Sequence, residues 1–139
     1  MHRFPFRVRY GDTDQMGFAY YANYLRWFEV GRAEMLRSLG TSYRDVEAEG
    51  TALPVVEARC RYLKPARYDD LLAIETGVQS VGRASVRFGY RVVREADGEL
   101  LAFGHTEHCF LDREGRPARP PARLAALLEA APHASRDEA

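Results

Sequence analysis

The sequence predicts a single α+β domain in which one long helix covers one face of a five-stranded antiparallel sheet. Two patterns predict it: an amphipathic helical repeat near the N-terminus, and a period-two alternation of apolar residues in five other segments. The chain has 139 residues, of which 46% are hydrophobic, so it can bury a sizeable core. Because one helix leaves an edge and a flank of such a sheet uncovered, we expect a homodimer.

The first strand is predicted over residues 4–10, where apolar side chains alternate with Arg7 and Arg9. Pro5 indicates an edge or the end of a strand, because proline cannot donate a hydrogen bond to a neighbouring strand. Residues 11–17 are rich in turn-forming residues and are predicted to form a loop.

The long helix is predicted over residues 22–39, with Asn23 as a candidate N-cap and Gly40 as its end. Its apolar positions recur at intervals of three or four residues, with polar residues largely between them. These positions are Tyr24, Trp27, Phe28, Gly31, Met35 and Leu39. Such spacing gives the helix one apolar side, which we expect to pack on the sheet.

The remaining sheet is predicted to follow a short helical turn over residues 41–50. Strands are predicted over residues 53–63, 71–81, 83–94 and 100–111. Turn signals at Gly82 and at residues 96–98 make the last three strands an antiparallel meander.

The C-terminal part reads as a surface loop over residues 113–123 and a short helix over residues 124–128. Its last residues are polar, which is typical of a frayed terminus. We therefore expect one domain over residues 1–131 and a disordered tail over residues 132–139.

Charge and hydropathy exclude several classes of protein. The chain has 20 Lys and Arg residues, of which Lys64 is the only lysine, and 20 Asp and Glu residues, so its formal net charge is zero. This balance argues against binding of nucleic acid by phosphate neutralisation and against a polybasic membrane anchor. No apolar run approaches the ~18 residues that span a bilayer, and the N-terminus has no apolar signal core, so we expect a cytoplasmic protein.

No metal site is predicted. The spacing of Cys60 and Cys109 fits no zinc pattern. His105 and His108 lie three residues apart on a predicted strand and therefore point to opposite faces of the sheet.

The loop at residues 10–17, YGDTDQMG, puts two carboxylates directly before the long helix. A carboxylate can act as a general base or a nucleophile. The N-terminus of a helix offers free N–H groups and a partial positive charge, which suit a developing oxyanion. Either aspartate could instead cap the turn or the helix, and this structural role is the one we favour for Asp12.

Two segments carry a resemblance to a known family. Residues 10–29, YGDTDQMGFAYYANYLRWFE, and residues 62–71, YLKPARYDDL, resemble motifs of the hotdog-fold acyl-CoA thioesterases. The most similar groups are the 4-hydroxybenzoyl-CoA thioesterase family and the acyl-CoA thioesterases associated with the Tol–Pal system. The resemblance covers about residues 6–121. It implies a hotdog fold, with dimers that often pair into tetramers and with active sites at the dimer interface, so a homo-oligomer, dimer or tetramer, is expected.

The resemblance also implies the roles of the catalytic residues. Asp14 corresponds to the catalytic aspartate of the family, and Tyr21 to the residue whose backbone N–H polarises the thioester carbonyl. Some Tol–Pal-type members have a histidine at the position of Tyr21, so a side-chain role for that histidine cannot be transferred to this chain. No cofactor is implied, since coenzyme A is part of the substrate.

Further residues are candidates for substrate binding. Gly17, Phe18, Tyr20 and Asn23 surround the implied site, and the tyrosines could line an acyl pocket or simply pack in the core. Coenzyme A carries phosphates that need positive partners, and the resemblance offers Arg83, which aligns with a basic stretch of the 4-hydroxybenzoyl type. The further candidates are Lys64, Arg67 and the loop residues Arg113, Arg116 and Arg119. Each of these could equally be a solvated surface charge. Glu29 is either a second carboxylate of the site or the partner of Arg26 or Arg32 in a helical ion pair.

The sequence therefore predicts a thioesterase that hydrolyses a short-chain or aromatic acyl-CoA. One alternative is a module of hotdog fold that binds an acyl-CoA or an acyl-carrier protein without catalysis, because fold does not fix function. Another is a dehydratase of hydroxyacyl thioesters. That chemistry needs a histidine paired with an acid, and no histidine lies near the loop or the long helix.

Overall fold

Five antiparallel strands form one sheet, and three helices accompany it. The strands are β1 (His2–Arg7), β2 (Val55–Tyr62), β3 (Leu71–Val81), β4 (Ser85–Arg94) and β5 (Leu100–Cys109). The helices are α1 (Asn23–Ser38), α2 (Tyr43–Ala48) and α3 (Ala122–Ala130). The strand order is β1-β3-β4-β5-β2, so β1 and β2 are the edges. The structure, a computed structural model, describes residues 1–136.

The architecture confirms the predicted hotdog fold. Helix α1 begins and ends within one residue of the predicted range, and its apolar side lies on β1, β2, β3 and β4. Strands β3, β4 and β5 form the predicted antiparallel meander. One long helix and a five-stranded antiparallel sheet thus enclose the core.

Helix α1 approaches the sheet closely at Gly31. A methyl group at this position would lie 2.4 Å from the hydroxyl oxygen of Thr76 and 2.6 Å from a side-chain carbon of Ile74. Next to this contact the rings of Phe28 and Tyr90 stack with centroids 4.3 Å apart and planes 6° apart. The small residue therefore lets the helix lie directly on β3 and β4.

The start of the chain differs from the prediction at the end of the first strand. Strand β1 spans His2–Arg7 rather than residues 4–10, and residues 10–12 form one turn of 3₁₀-helix. The carboxylate of Asp12 accepts a hydrogen bond from the N–H of Arg9 over 2.9 Å. This bond turns the backbone away from the sheet, so Tyr10 is exposed instead of half-buried.

The C-terminal segment also differs from the expected disordered tail. The N–H of Val78 donates to the carbonyl of Pro132 over 2.8 Å, and the N–H of Ala134 donates back to Val78 over 3.0 Å. Strand β1 pairs with β3 only as far as Thr76, and the segment occupies the free edge beyond it. Ala134 is buried against the outer face of the sheet, while residues 137–139 lie outside the described range.

A chain of buried hydrogen bonds crosses the core from β4 to the segment before β2. Nδ1 of His108 lies 2.9 Å from the carbonyl oxygen of Leu53, and Nε2 lies 2.8 Å from the hydroxyl of Thr106, which also contacts the hydroxyl of Tyr90. Because a carbonyl only accepts, the proton of the neutral imidazole is assigned to Nδ1, and Nε2 then accepts from Thr106. Burial lowers the pKa of His108 to about 4.

This pKa predicts how stability depends on pH. The unfolded chain binds the His108 proton near pH 6.5 and the folded protein only near pH 4, so acidification between these values favours unfolding. We expect the contribution of this residue to be complete above pH 6.5 and to fall by about 3 kcal/mol as the pH approaches 4.

Urea unfolding of the wild type and of His108→Asn between pH 4 and pH 7.5 measures this contribution. Carboxylates titrate in both proteins, so the difference between their two pH profiles isolates the histidine. Parallel profiles would contradict the expected depression of the pKa.

Candidate active site

Asp12 joins the loop to the start of helix α1. Its carboxylate is 4% exposed and accepts hydrogen bonds from the N–H of Arg9 and from the guanidinium of Arg26, over 2.9 and 3.0 Å. Its carbonyl accepts from the N–H of Tyr20 and from the side-chain amide of Asn23, each over 2.8 Å. The structural role that we favoured for Asp12 is therefore confirmed.

Asp14 lies two residues further on, with its side chain half-buried. Its Oδ1 accepts the N–H of Met16 over 2.9 Å and that of Phe18 over 3.4 Å, and its carbonyl accepts the N–H of Gly17. Gly17 has a φ of +80°, a conformation that side chains disfavour. Within residues 1–136 no donor reaches Oδ2, so one carboxylate oxygen holds the turn while the other is available to a ligand.

The helix begins with unpaired backbone N–H groups next to this turn. The N–H of Tyr20 donates to Asp12 and that of Asn23 donates to the carbonyl of Tyr20. The N–H groups of Tyr21 and Ala22 meet no acceptor in the part of the chain that the structure describes. Ala22 occupies the N-cap position that we expected for Asn23, and its side chain provides no cap. The positive end of the helix is thus available to a negative or polarised oxygen.

Asp14 and Tyr21 line one cavity of about 310 Å³. Two other predicted site residues, Phe18 and Lys64, lie in the same wall. The rest of the lining is largely apolar or aromatic and consists of Met16, Ala19, Tyr24, Tyr62, Leu63 and Pro65. A carboxylate, an unpaired amide and an apolar wall together suit a carbonyl compound with an apolar substituent.

A larger cavity of about 390 Å³ lies on the outer face of the sheet. Its acidic residue, Glu75, is engaged by the guanidinium groups of Arg3 and Arg91 over 3.0 and 3.1 Å. This carboxylate is neutralised, whereas Asp14 keeps an available oxygen, and we therefore assign the candidate site to the cavity at Asp14.

Tyr62 is a site residue that sequence reasoning missed. Its hydroxyl donates to the carbonyl of Tyr21 over 2.9 Å, and its ring meets those of Tyr21 and Tyr24 edge-on. Burial raises the pKa of the Tyr62 phenol, which keeps it protonated as a hydrogen-bond donor. The alternation in β2, which puts Cys60 and Tyr62 on one side of the strand, is the signal that could have found it.

The other predicted binding residues lie outside the cavity wall. Gly17 lines a groove on the other side of Asp14, and the exposed ring of Tyr20 packs on that of Tyr21 with centroids 4.8 Å apart. Asn23 is engaged by Asp12, so it supports the loop. Their contacts with substrate stay predictions.

The basic candidates are spread along the molecule. The guanidinium of Arg67 lies 4.9 Å from the ring centre of Phe18, close to the cavity. Arg83 lies in the turn between β3 and β4. Residues 66–70 precede β3, so Arg83 and Arg67 lie beyond opposite ends of this strand. The role of Arg83 in binding coenzyme A stays a prediction, as does that of Arg67.

The two expected roles of Glu29 stay predictions. This residue is exposed and is absent from the lining of the cavity at Asp14. Its expected ion-pair partners are engaged elsewhere, since Arg26 donates to Asp12 and Arg32 donates to the hydroxyl of Tyr43.

Within residues 1–136, no group of three or more His, Cys, Asp or Glu residues is arranged to hold a metal ion. None of the helices described there is long and apolar enough to cross a bilayer.

Comparison with known proteins gives consistent similarities. A family model described as the thioesterase-like superfamily matches residues 8–128. The acyl-CoA thioester hydrolase YbgC of Escherichia coli is 40% identical over 101 residues, which are 73% of this chain and 75% of that protein. The 1,4-dihydroxy-2-naphthoyl-CoA hydrolase of Thermosynechococcus vestitus is 31% identical over 132 residues, 94% of this chain and 90% of that protein.

A solved structure has a similar fold. The crystal structure of the hypothetical protein TT1821 from Thermus thermophilus superposes with a TM-score of 0.87 at 34% identity. The superposition covers 92% of this chain and 97% of that one. The two chains therefore share one fold over most of their length.

The contacts of Asp12 predict that it positions the site without touching substrate. Asp12→Asn removes the charge that holds Arg26 and weakens the bond to the N–H of Arg9, so the loop shifts while Asp14 stays intact. We expect kcat for thioester hydrolysis to fall roughly 10- to 100-fold, since a displacement near 1 Å can cost about 100-fold.

The matched control is Asp97→Asn, which removes an exposed ion pair with Arg94 in the turn after β4. This variant should keep the wild-type kcat. Circular dichroism checks that both variants are folded, and equal kcat values for the two variants would contradict a positioning role of Asp12.

Proposed function

The chain belongs to the thioesterase-like superfamily and is a thioester hydrolase, and we propose that it hydrolyses an acyl-CoA to the free acid and coenzyme A at Asp14 and Tyr21. One observation carries the proposal: a single cavity is lined by a carboxylate with an available oxygen and by an unpaired amide at the start of α1. These are the two groups that acyl transfer to water requires.

The N–H of Tyr21 is the proposed electrophilic group. The thioester carbonyl accepts its hydrogen bond, and negative charge that develops on this oxygen is stabilised by the positive end of helix α1. The hydroxyl of Tyr62 holds the carbonyl of Tyr21, which fixes the first turn of the helix against β2. The donor is therefore oriented before substrate arrives.

Asp14 is the proposed nucleophile or general base. As a nucleophile, its free oxygen bonds to the acyl carbon, the C–S bond breaks with both electrons going to sulfur, and water hydrolyses the resulting anhydride. As a general base, it takes a proton from a water molecule that attacks the same carbon. Both routes give a carboxylic acid and coenzyme A, and neither needs a further cofactor.

The cavity wall favours an acyl group with an apolar or aromatic body. Phe18, Tyr21, Tyr24 and Tyr62 contribute rings, and the volume of about 310 Å³ suits a short chain or a small ring system. The relative in Thermosynechococcus vestitus is named for an aromatic acyl-CoA, and that in Escherichia coli is named only for acyl-CoA. A short-chain or aromatic acyl-CoA is therefore the proposed substrate.

We expect the protein to act as a homo-oligomer that pairs through β2. All residues of this edge strand except the half-buried Cys60 are exposed, and Val55 and Val56 are 45% and 59% exposed. A free edge with apolar side chains favours pairing with another strand. Tyr62 ends this strand and lines the cavity, so a partner on β2 would lie beside the site.

Val56→Lys tests this arrangement, because a charge in the middle of an apolar interface opposes association. Analytical ultracentrifugation should find the variant as a monomer and the wild type as a dimer or tetramer. The control is Val81→Lys at the far end of β3, where the side chain is 38% exposed. Equal masses for Val56→Lys and the wild type would contradict pairing through β2.

Asp14→Asn tests the catalytic proposal. The amide is close in shape to the carboxylate and can still accept the N–H of Met16, so the loop should keep its structure. We expect kcat to fall about 10²- to 10⁴-fold with a similar KM for acyl-CoA, as is typical for loss of an acid–base group. Release of free thiol from a panel of short-chain and aromatic acyl-CoAs is the measurement.

Asp45→Asn, on the exposed surface of α2, is the control and should keep wild-type rates. Hydrolysis at wild-type rates by Asp14→Asn would refute the role of Asp14. A tight complex that neither protein hydrolyses would favour the alternative of a binding module without catalysis.

A further inference from the structure

Lys64 is the only lysine of the chain, and it lies in the wall of the cavity at Asp14. The other 19 residues of the 20 Lys and Arg are arginines. A guanidinium stays protonated and is not a nucleophile, whereas an ammonium that loses its proton becomes an amine that attacks activated carbonyls. The one lysine thus lies where a thioester is expected to bind.

We propose that Lys64 is a modification site at which a thioester held in the cavity transfers its acyl group to the Nζ amine. The inference rests on the proposed function, because it needs an acyl-CoA bound beside Asp14 and Tyr21. It goes beyond that function because the product is an acylated protein rather than a free acid.

The chemistry balances without any further reactant. The Nζ amine bonds to the acyl carbon, the C–S bond breaks, and both of its electrons leave with sulfur. The proton lost from nitrogen passes to water or to the thiolate, so coenzyme A is released and an amide remains on the lysine. No oxidant, reductant or metal takes part.

The surroundings of Lys64 allow this reaction. Its ammonium pairs with Glu99 in the turn between β4 and β5, and its side chain is 61% exposed. Exposed ion pairs contribute only ~0–1 kcal/mol, so the pair opens readily and the ammonium can exchange its proton with water.

Binding in the cavity brings the thioester close to the amine. Well-oriented groups reach effective molarities of ~10⁵ M or more, and even a flexible side chain at the rim of the cavity gains part of this advantage. Hydrolysis through Asp14 competes for the same acyl group, so acylation should be most visible when Asp14 is disabled. The modification removes the positive charge of Lys64 and leaves an acyl amide at the rim of the cavity.

The chain contains its own reference for random acylation. In a protein expressed from Met1, the α-amino group of this residue is an aliphatic amine outside the cavity at Asp14. Met1 lines the separate cavity on the outer face of the sheet, with Glu75 and Phe103. Acylation from solution reaches both amines, whereas acylation from a thioester bound beside Asp14 reaches only Lys64.

The test uses Asp14→Asn with benzoyl-CoA and with butyryl-CoA at pH 8, followed by peptide mass spectrometry. We expect acylation of Lys64 to exceed that of the Met1 amine by about tenfold or more, and its rate to saturate with acyl-CoA concentration while that at Met1 rises linearly. In Asp14→Asn combined with Lys64→Arg, the mass added to the intact protein should fall to the Met1 level. Similar, linear rates at both amines would overturn the proposal.

The wild type gives a second measurement that does not depend on the folding of the variant. After many turnovers of the wild type, we compare the acylated Lys64 per thioester hydrolysed with the acylated Met1 amine per thioester hydrolysed. The first quantity should exceed the second by about tenfold or more. If the wild type hydrolyses acyl-CoA but Lys64 shows no preference in either protein, this inference fails alone. If the wild type hydrolyses no acyl-CoA and neither amine is preferred, the proposed function fails with it.

Discussion

The ion pair and hydrogen bonds of Asp12 are the interaction on which the rest of the site depends. Its carboxylate is almost fully buried, and burying such a charge is costly unless it is paired and hydrogen-bonded. The side chain of Arg26 and the N–H of Arg9 satisfy it from the helix and from the end of the first strand. Because its carbonyl also holds Tyr20 and Asn23, one residue ties the strand, the loop and the helix together.

Two aspartates of one loop thus have different chemistry because their surroundings differ. Both oxygens of Asp12 are engaged inside the protein, so this carboxylate has no capacity left to react. Asp14 uses one oxygen to hold the turn and keeps the other at the cavity. Asp14 can therefore hold the turn with one oxygen and offer the other to a ligand, so the alternatives of capping and catalysis do not exclude each other at this position.

The parts of the fold that the sequence predicted are those in which local periodicity decides the structure. Helix α1 and the meander β3–β5 follow from the spacing of their apolar residues, and Asp14 and Tyr21 follow from a contiguous motif. The end of β1, the contact of Tyr62 with Tyr21 and the pairing of Ala134 with β3 depend on residues distant in sequence or on a single buried side chain. Periodicity carries no information about such contacts, and so the predicted strand was too long and the tail was expected to be disordered.

The position of the cavity links catalysis to association. One wall is the start of α1, which is held rigidly by Asp12, and the other is the end of β2 with Tyr62 and the residues that follow it. Strand β2 has a neighbour on one side only, so this wall is supported by β5 and by the hydrogen bond from Tyr62 to Tyr21. A second copy on the free edge would restrain the same strand and exclude water from the apolar wall, which strengthens the electrostatic effect of the helix N-terminus on a bound carbonyl. The exposed edge of β2 is therefore where a second copy of the chain would most strengthen the site.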